Sequence, residues 1–225
     1  MRKIITLLKR APGLSVREFQ GRWAEAHGPV AALAPGVRRY VQSHALEKGY
    51  ARGELLFDGI SEAWFDDDAA SAAYAASDAA RVVGADLRPL IEPSRLVRMS
   101  VDVHVIKDGP VPEPAVKNIE FVNRRPGMAL GPFRDYWHGI HGPLASTIPV
   151  LRRYEQNHLA LSQYEAGEPP FDGLAVTWFD STADMKAGTL TPEYAATRAD
   201  EPHFLPDGHL PIIITREVFF ARSGG

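Results

Sequence analysis

The chain has 225 residues, of which 45% are hydrophobic and 24% charged, and its formal net charge is −3. This composition is typical of a globular protein, and without a basic excess we expect no nucleic-acid partner. The chain contains no cysteine, so disulfides and thiolate chemistry are excluded and a cytoplasmic location is expected. No uninterrupted apolar segment approaches the roughly 20 residues that span a bilayer, so membrane insertion is not expected.

The predicted elements of the first half follow the order β-α-β-β-α-β. Residues 2–9 are rich in Ile and Leu and end at a Pro-Gly turn, which predicts a strand. Ser15 and Glu18 form a capping box that opens a helix. Its predicted apolar stripe comprises Val16, Phe19, Trp23, His27 and Val30. Residues 37–46 and 60–65 predict two further strands, residues 66–81 an alanine-rich second helix, and residues 95–105 the fourth strand.

The second half repeats the first at a constant offset of 114 residues. Matching pairs include Trp23 and Trp137, His27 and His141, Tyr40 and Tyr154, Gln42 and Gln156, His44 and His158, and the Asp-Gly pairs at 58–59 and 172–173. Such a register indicates a duplicated domain. Residues 107–116 carry Pro110, Pro112 and Pro114 and predict a semi-rigid linker between domains at 1–106 and 117–225.

The order β-α-β-β-α-β is that of a ferredoxin-like domain. Such a sheet carries helices on one face only, so its other face requires cover, which a second sheet supplies when the two close into a barrel. We therefore expect an α+β fold in which two tandem ferredoxin-like domains form an intrachain pseudo-dimeric α/β barrel. Whether this pseudo-dimer pairs again into a homodimer is left open.

The repeated residues also carry a family resemblance. The combination of Trp23, His27-Gly28-Pro29, Arg39-Tyr40, Gln42, His44, Asp58-Gly59 and Trp64-Phe65, present twice, resembles the EthD family of the dimeric α/β-barrel superfamily. The resemblance covers nearly the whole chain, and in the second half it includes Asp200-Glu201 before Phe204, where the first half has Asp86-Leu87 before Leu90. It implies paired ferredoxin-like domains and cofactor-free dehydration, decarboxylation or isomerisation of small hydrophobic or aromatic metabolites.

The second strand of each half presents a row of polar residues. Because side chains alternate between the faces of a strand, Tyr40, Gln42 and His44 share one face, and Tyr154, Gln156 and His158 repeat this arrangement. A face covered by other elements holds such groups only if they line a cavity or satisfy one another. His27 and His141 share a helix face with Trp23 and Trp137, and either hold the helix end through a backbone carbonyl or act on a ligand.

Differences between the halves favour the second as the functional one. At the offset of 114 residues, Glu62 corresponds to Val176 and Glu120 corresponds to Thr6. We expect Glu62 to be solvated at the barrel rim, whereas Glu120 is either solvated or buried as a general acid or base. The histidines are also unequal: three, at 27, 44 and 104, lie in the first half and five, at 138, 141, 158, 203 and 209, in the second.

The leading hypothesis is a lyase, dehydratase or isomerase that needs no cofactor and no metal. His141 or His158 transfers a proton, with Tyr154 and Glu120 as further catalytic candidates. The candidate substrate-binding residues are Trp137, Gln156 and His203 in the second half and Trp23, His27, Tyr40, Gln42 and His44 in the first. Two alternatives stay open: a non-catalytic binding or accessory protein of a degradation pathway, and a cofactor-free monooxygenase. The histidines permit a metal or haem ligand, but no spacing indicates one.

Overall fold

The computed structural model describes residues 1–111 and 113–220, so Pro112 of the predicted linker lies outside the described residues. The chain divides into two compact units. Unit 1 comprises Met1–Val101 and the C-terminal segment from Thr215, and unit 2 comprises Asp102–Ile214. These limits differ from the predicted domain limits because β4 (Val97–Lys107) and β8 (Ile212–Phe220) each run through both units.

Unit 1 contains the elements expected from the first half. They are β1 (Arg2–Leu8), α1 (Val16–Arg22), α2 (Gly28–Ala32), β2 (Arg39–Ala45), β3 (Gly59–Phe65), α3 (Asp68–Ala75), α4 (Asp78–Leu87) and the first part of β4. The capping box that opens α1 is present: the Ser15 hydroxyl accepts the Glu18 N–H at 3.2 Å, and the Glu18 carboxylate accepts the Ser15 N–H at 2.9 Å.

A single π-helical turn, Trp23–His27, separates α1 from α2. The sequence pattern did not reveal it, because helical spacing assumes 3.6 residues per turn. The wider turn shifts the buried face, so that Trp23 and His27 are buried as predicted whereas Val30 is 37% exposed. Ala31 and Ala32 occupy the core in its place.

The second helix predicted over residues 66–81 is two helices, α3 and α4, so the single helix was wrong. The break follows from side-chain capping. Ser77 has extended backbone angles, and its Oγ accepts the N–H of Ala80 at 3.1 Å to begin α4. Serine thereby ends the alanine-rich run despite the high helix propensity around it.

Unit 2 repeats the same order. Its elements are the second part of β4, β5 (Val116–Val122), α5 (Leu130–Tyr136), α6 (Gly142–Ser146), β6 (Arg153–Leu159), β7 (Gly173–Phe179), α7 (Thr182–Gly188), α8 (Pro192–Asp200) and the first part of β8. The π-helical turn recurs at Trp137–His141. Asp207–Pro211, the residues that displace the last strand of the repeat, form a loop before β8.

The strands are hydrogen-bonded in the order β1-β3-β2-β8-β5-β7-β6-β4, and this order closes on itself. The predicted α/β barrel of two ferredoxin-like domains is therefore confirmed. Gly59 and Gly173 serve the packing of each helix on its sheet. A Cβ at Gly59 would lie 2.4 Å from the Trp23 ring, and one at Gly173 would lie 2.9 Å from the Trp137 ring. The repeated Asp-Gly pair therefore leaves room for the repeated tryptophan.

The aspartate of each Asp-Gly pair is the centre of a charged cluster. Asp172 accepts hydrogen bonds from the Arg124 guanidinium and from the Tyr164 hydroxyl, the latter at 2.7 Å. In unit 1 Asp58 accepts from Arg10 and from the Tyr50 hydroxyl at 2.6 Å. Both carboxylates are buried and paired, so this repeated motif stabilises the strand ends.

Glu62 does not lie at a solvated rim, and that expectation was wrong. Its side chain is buried, and the Lys3 ammonium lies 2.5 Å from its carboxylate. Lys3 also lies over the Trp64 ring at 4.9 Å. A buried charge requires such a partner, so Glu62 is a structural ion-pair residue.

Within residues 1–111 and 113–220, no helix combines the length and apolar character needed to cross a membrane.

Candidate functional site

The polar row on the second strand of each repeat is a chain of hydrogen bonds that ends at the π-helical turn. In unit 2 the Gln156 amide donates to the Trp137 carbonyl oxygen at 2.7 Å and to the Tyr154 hydroxyl at 3.0 Å. The His158 Nε2 lies 3.0 Å from the Gln156 carbonyl oxygen and donates to it. The Trp137 carbonyl oxygen also accepts the Gly142 N–H of the π-helical turn, so the Gln156 amide is its second donor and ties β6 to that turn.

Unit 1 repeats this arrangement. Gln42 donates to the Trp23 carbonyl at 2.9 Å, and the His44 Nε2 lies 2.8 Å from the Gln42 carbonyl oxygen. Tyr40 contributes its hydroxyl at 3.4 Å from the Gln42 amide. Of the two predicted explanations for the polar row, mutual satisfaction accounts for Gln42, His44 and Gln156. It accounts for Nε2 of His158, whereas Nδ1 of His158 is buried without a hydrogen-bond partner among the residues that the structure describes.

His158 is unsuited to proton transfer near neutral pH. Its ring stacks on Trp137 at 4.2 Å, and burial together with the neighbouring His104, Arg134 and His138 lowers its pKa to about 2. It is not among the residues that line the cavity described below. Its counterpart His44 stacks on Trp23 at 4.7 Å, and burial lowers its pKa to about 4.

His141 forms a dyad with an aspartate. Its Nδ1 lies 2.9 Å from Asp200 Oδ2, and the Tyr136 hydroxyl donates to Asp200 Oδ1 at 2.6 Å. The predicted backbone-carbonyl partner is thus a carboxylate instead. Burial lowers the pKa of His141 while Asp200 opposes that shift. A neutral imidazole that donates from Nδ1 to Asp200 leaves the lone pair of Nε2 for a ligand.

A cavity of about 170 Å³ lies in unit 2 between the sheet and the helices. His141, Trp137, Tyr154 and Glu120 all line it. Most of its wall is apolar: Val122, Ala145, Ile148, Leu151, Ala175, Phe179, Met185, Phe204, Leu205, Leu210 and Ile212. An apolar cavity of about 150 Å³ accepts a benzene ring, so this one has room for a single substituted ring.

The polar part of the wall comes from β5 and from the end of α8. Asn118 Nδ2 donates to Glu120 Oε1 at 3.0 Å, and Arg198 forms an ion pair with Glu201. Burial raises the pKa of Glu120, while the Asn118 hydrogen bond and Arg198 oppose the rise. Burial also raises the pKa of Glu201 to about 7, and the charge of Glu120 contributes. Of the two carboxyl groups that line the cavity, Glu201 is therefore partly protonated near neutral pH.

Unit 1 has apolar or smaller residues where unit 2 has these polar groups. At the offset of 114, Asn118, Glu120, Arg198 and Glu201 correspond to Ile4, Thr6, Gly84 and Leu87. Gly188, which lines the cavity, corresponds to Tyr74. In unit 1 the Tyr74 ring packs on Phe65 at 5.3 Å against a cluster of buried hydrophobic residues. The dyad recurs as His27 Nδ1 and Asp86 Oδ2, 2.7 Å apart, but without the acidic groups.

The remaining predicted site residues lie elsewhere. His203 is largely exposed, with Nδ1 2.8 Å from the Asp200 carbonyl oxygen, and does not line the cavity. Gln156 lies behind Tyr154 in the hydrogen-bonded row. In unit 1 the predicted binding residues Trp23, His27, Tyr40, Gln42 and His44 belong to the core and its hydrogen-bonded row.

Sequence reasoning missed Asp200, Glu201, Arg198 and Asn118. Asp200 left a signal, because Asp86 matches it in the repeat. The other residues left only the contrast with their unit 1 counterparts. In the described part of the chain, no cluster of three or more His, Asp or Glu residues has a geometry suited to a metal ion.

These features define a tandem ferredoxin-like protein of the dimeric α/β-barrel class. The EthD domain model matches residues 11–94 and 125–207, and the chain belongs to the EthD family. No curated protein sequence matches the chain at a significant level.

Solved structures extend the similarity of the fold. An anthrone oxidase-like protein has a TM-score of 0.61 at 10% identity, over 96% of this chain and 90% of that chain. A proposed monooxygenase from Fusobacterium nucleatum subsp. nucleatum has a TM-score of 0.58 at 10% identity, over 100% of this chain and 95% of that chain. At these identities the similarity concerns the fold alone.

Proposed function

We propose that unit 2 binds a small hydrophobic or aromatic metabolite and acts on it by cofactor-free proton transfer, as a dehydratase or isomerase. The observation that carries the proposal is that the His141–Asp200 dyad lies in the wall of an apolar cavity that also contains Glu120 and Glu201. A base and an acid that share a dry cavity are what proton transfer at carbon requires.

The dyad supplies the base. Asp200 accepts the Nδ1 proton of His141, so Nε2 takes a proton from a substrate carbon beside a carbonyl group. Asp200 stabilises the imidazolium that forms. The proton returns to a different carbon in an isomerisation, whereas in a dehydration the hydroxyl leaves with a proton from a carboxyl group and departs as water.

Other residues that line the cavity supply the acid and the orienting group. The raised pKa of Glu201, about 7, keeps this carboxyl group partly protonated where the imidazole is neutral. Tyr154 accepts a hydrogen bond from Gln156, so its own O–H donates to a substrate oxygen and stabilises developing negative charge. Trp137 and Phe204 form apolar walls that exclude water.

The test begins with the small molecules that the purified protein releases on denaturation, identified by mass spectrometry and returned to fresh protein. We expect conversion by the wild type and by His27→Gln, and loss of conversion in His141→Gln. The His27 variant is the matched control because it removes the equivalent imidazole from unit 1. A tightly bound ligand that every variant leaves unaltered would show a carrier instead, and conversion that depends on dioxygen would show a monooxygenase.

A further inference from the structure

The Asn118 side chain carries an unsatisfied hydrogen-bond acceptor. Its Nδ2 donates to Glu120, but its Oδ1 is buried without a hydrogen-bond partner among the residues that the structure describes. Asn118 is 8% exposed and lines the unit 2 cavity. A buried amide oxygen without a donor costs about 1–3 kcal/mol, so such a group indicates a ligand that completes it.

The fold itself does not require a polar residue at this position. The counterpart of Asn118 on β1 is Ile4, which packs against the hydrophobic cluster of unit 1. Because an isoleucine fits the same strand position, the amide of Asn118 serves the cavity and not the barrel.

The neighbouring charges restrict what the ligand is. Arg198 is engaged by Glu201 and also lies 3.1 Å from the His209 ring, so the cation of this cavity has partners already. Glu120 is hydrogen-bonded to Asn118 itself. A ligand carboxylate would therefore meet two acidic side chains and could not donate to the amide oxygen, whereas a neutral hydroxyl can donate to it.

We infer that Asn118 and Glu120 form a hydroxyl-recognising subsite, so that the substrate is a neutral phenol or alcohol with an apolar body. This inference rests on the proposed function, because it concerns the same cavity. The hydroxyl donates to Asn118 Oδ1, Glu120 holds the Asn118 amide through its hydrogen bond with Nδ2, and the apolar walls enclose the rest of the molecule.

Three single-ring probes test the subsite: phenol, benzene and benzoate, each titrated into the full chain at pH 7 by ligand-observed NMR. Benzene measures the apolar cavity alone, phenol adds the hydroxyl, and benzoate replaces it with an anion. We expect phenol to bind about tenfold more tightly than benzene, as one net hydrogen bond allows. Benzoate should bind at least tenfold more weakly than phenol.

The decisive variant is Asn118→Ile, which installs the unit 1 residue. It should reduce phenol affinity about tenfold, to the level of benzene, while benzene binding persists and shows that the cavity is intact. A second variant, Asn118→Leu, should behave alike if the isoleucine disturbs the strand.

The subsite is overturned if wild-type protein binds phenol and benzene with equal affinity, or if the preference for phenol survives both variants. The proposed function would still stand in that case if turnover depends on His141. Absence of benzene and phenol binding would overturn both, because the cavity would then not accept a ring.

Discussion

Replacing Asp200 with asparagine should abolish turnover without changing the shape of the site. Asp200 Oδ1 accepts the Tyr136 hydroxyl at 2.6 Å, so the new amide keeps its carbonyl oxygen there and directs its NH₂ group to His141 Nδ1. An NH₂ group donates where the carboxylate accepted. His141 must then carry its proton on Nε2, the nitrogen that faces the ligand, and the base is lost.

The magnitude follows from the role of the dyad. General-base catalysis contributes about 10²- to 10⁴-fold, so turnover of the metabolite identified above should fall by that factor while its affinity changes little. Asp86→Asn is the matched control, since it makes the same change to the unit 1 dyad, and it should leave turnover within about twofold of wild type. Both variants lose a hydrogen bond to a carboxylate, so both lose up to about 1.5–3 kcal/mol of stability.

The assay combines turnover with a direct measurement of the tautomer. ¹⁵N-labelled histidine distinguishes protonated from unprotonated ring nitrogens, and comparison with His141→Gln assigns the signals of His141. We expect Nδ1–H in wild-type protein and Nε2–H in Asp200→Asn. The reasoning is refuted if His141 keeps Nδ1–H in the variant, or if turnover survives while the tautomer changes.

Three further predictions concern pH and the cavity. Burial lowers the pKa of His158 to about 2 in the folded chain, against about 6.5 in the unfolded chain, so the folded state loses stability as the pH falls below 6.5. Urea unfolding at pH 7 and pH 5 should therefore show a loss of unfolding free energy that is about 2 kcal/mol smaller in His158→Phe than in wild type. Equal losses in the two proteins would contradict this. The effect of Glu201 on stability has the opposite pH dependence, because its folded pKa of about 7 lies above its unfolded value. The folded state loses stability as the pH rises from about 4.5 through 7, and Glu201→Gln should remove about 1 kcal/mol of that loss after allowance for solvent screening. The same unfolding series between pH 4 and pH 8 checks it, and an unchanged slope would show that Glu201 titrates normally. Gly188→Tyr installs the residue that unit 1 has at this position, Tyr74, and should weaken benzene binding by about tenfold or more. A Cβ at Gly188 would lie 2.6 Å from Val150 Cγ2, so Val150 has to shift to admit the ring. Unchanged binding would place the ligand elsewhere.

Most of the fold follows from the sequence because its signals are local and occur twice. The strands, the Ser15 capping box and the 114-residue register all depend on neighbouring residues. The π-helical turns and the break at Ser77 were not predicted, since each depends on which of several alternative local hydrogen bonds forms. Glu62 was misplaced because the sequence does not show that Lys3 lies across the sheet from it.

The candidate site was predicted in part, for a physical reason. Glu120 and His141 were recognised because their chemistry is unusual on a strand and on an apolar helix face. Asp200 and Glu201 were not recognised, because a helix end normally carries solvated charges, and only the tertiary structure of unit 2 buries Glu201.

What the two repeats share differs in kind from what separates them. The glutamine of the Tyr-Gln-His row donates a second hydrogen bond to a carbonyl oxygen of the π-helical turn in both units, so the row ties strand to helix in each copy. The dyad is also shared, as His27 and Asp86 in unit 1, but there Leu87 stands where unit 2 has Glu201. Its presence alone therefore does not indicate catalysis. The acidic groups and the space left by Gly188 distinguish the two copies, and for this reason each variant of unit 2 is informative only beside its unit 1 counterpart.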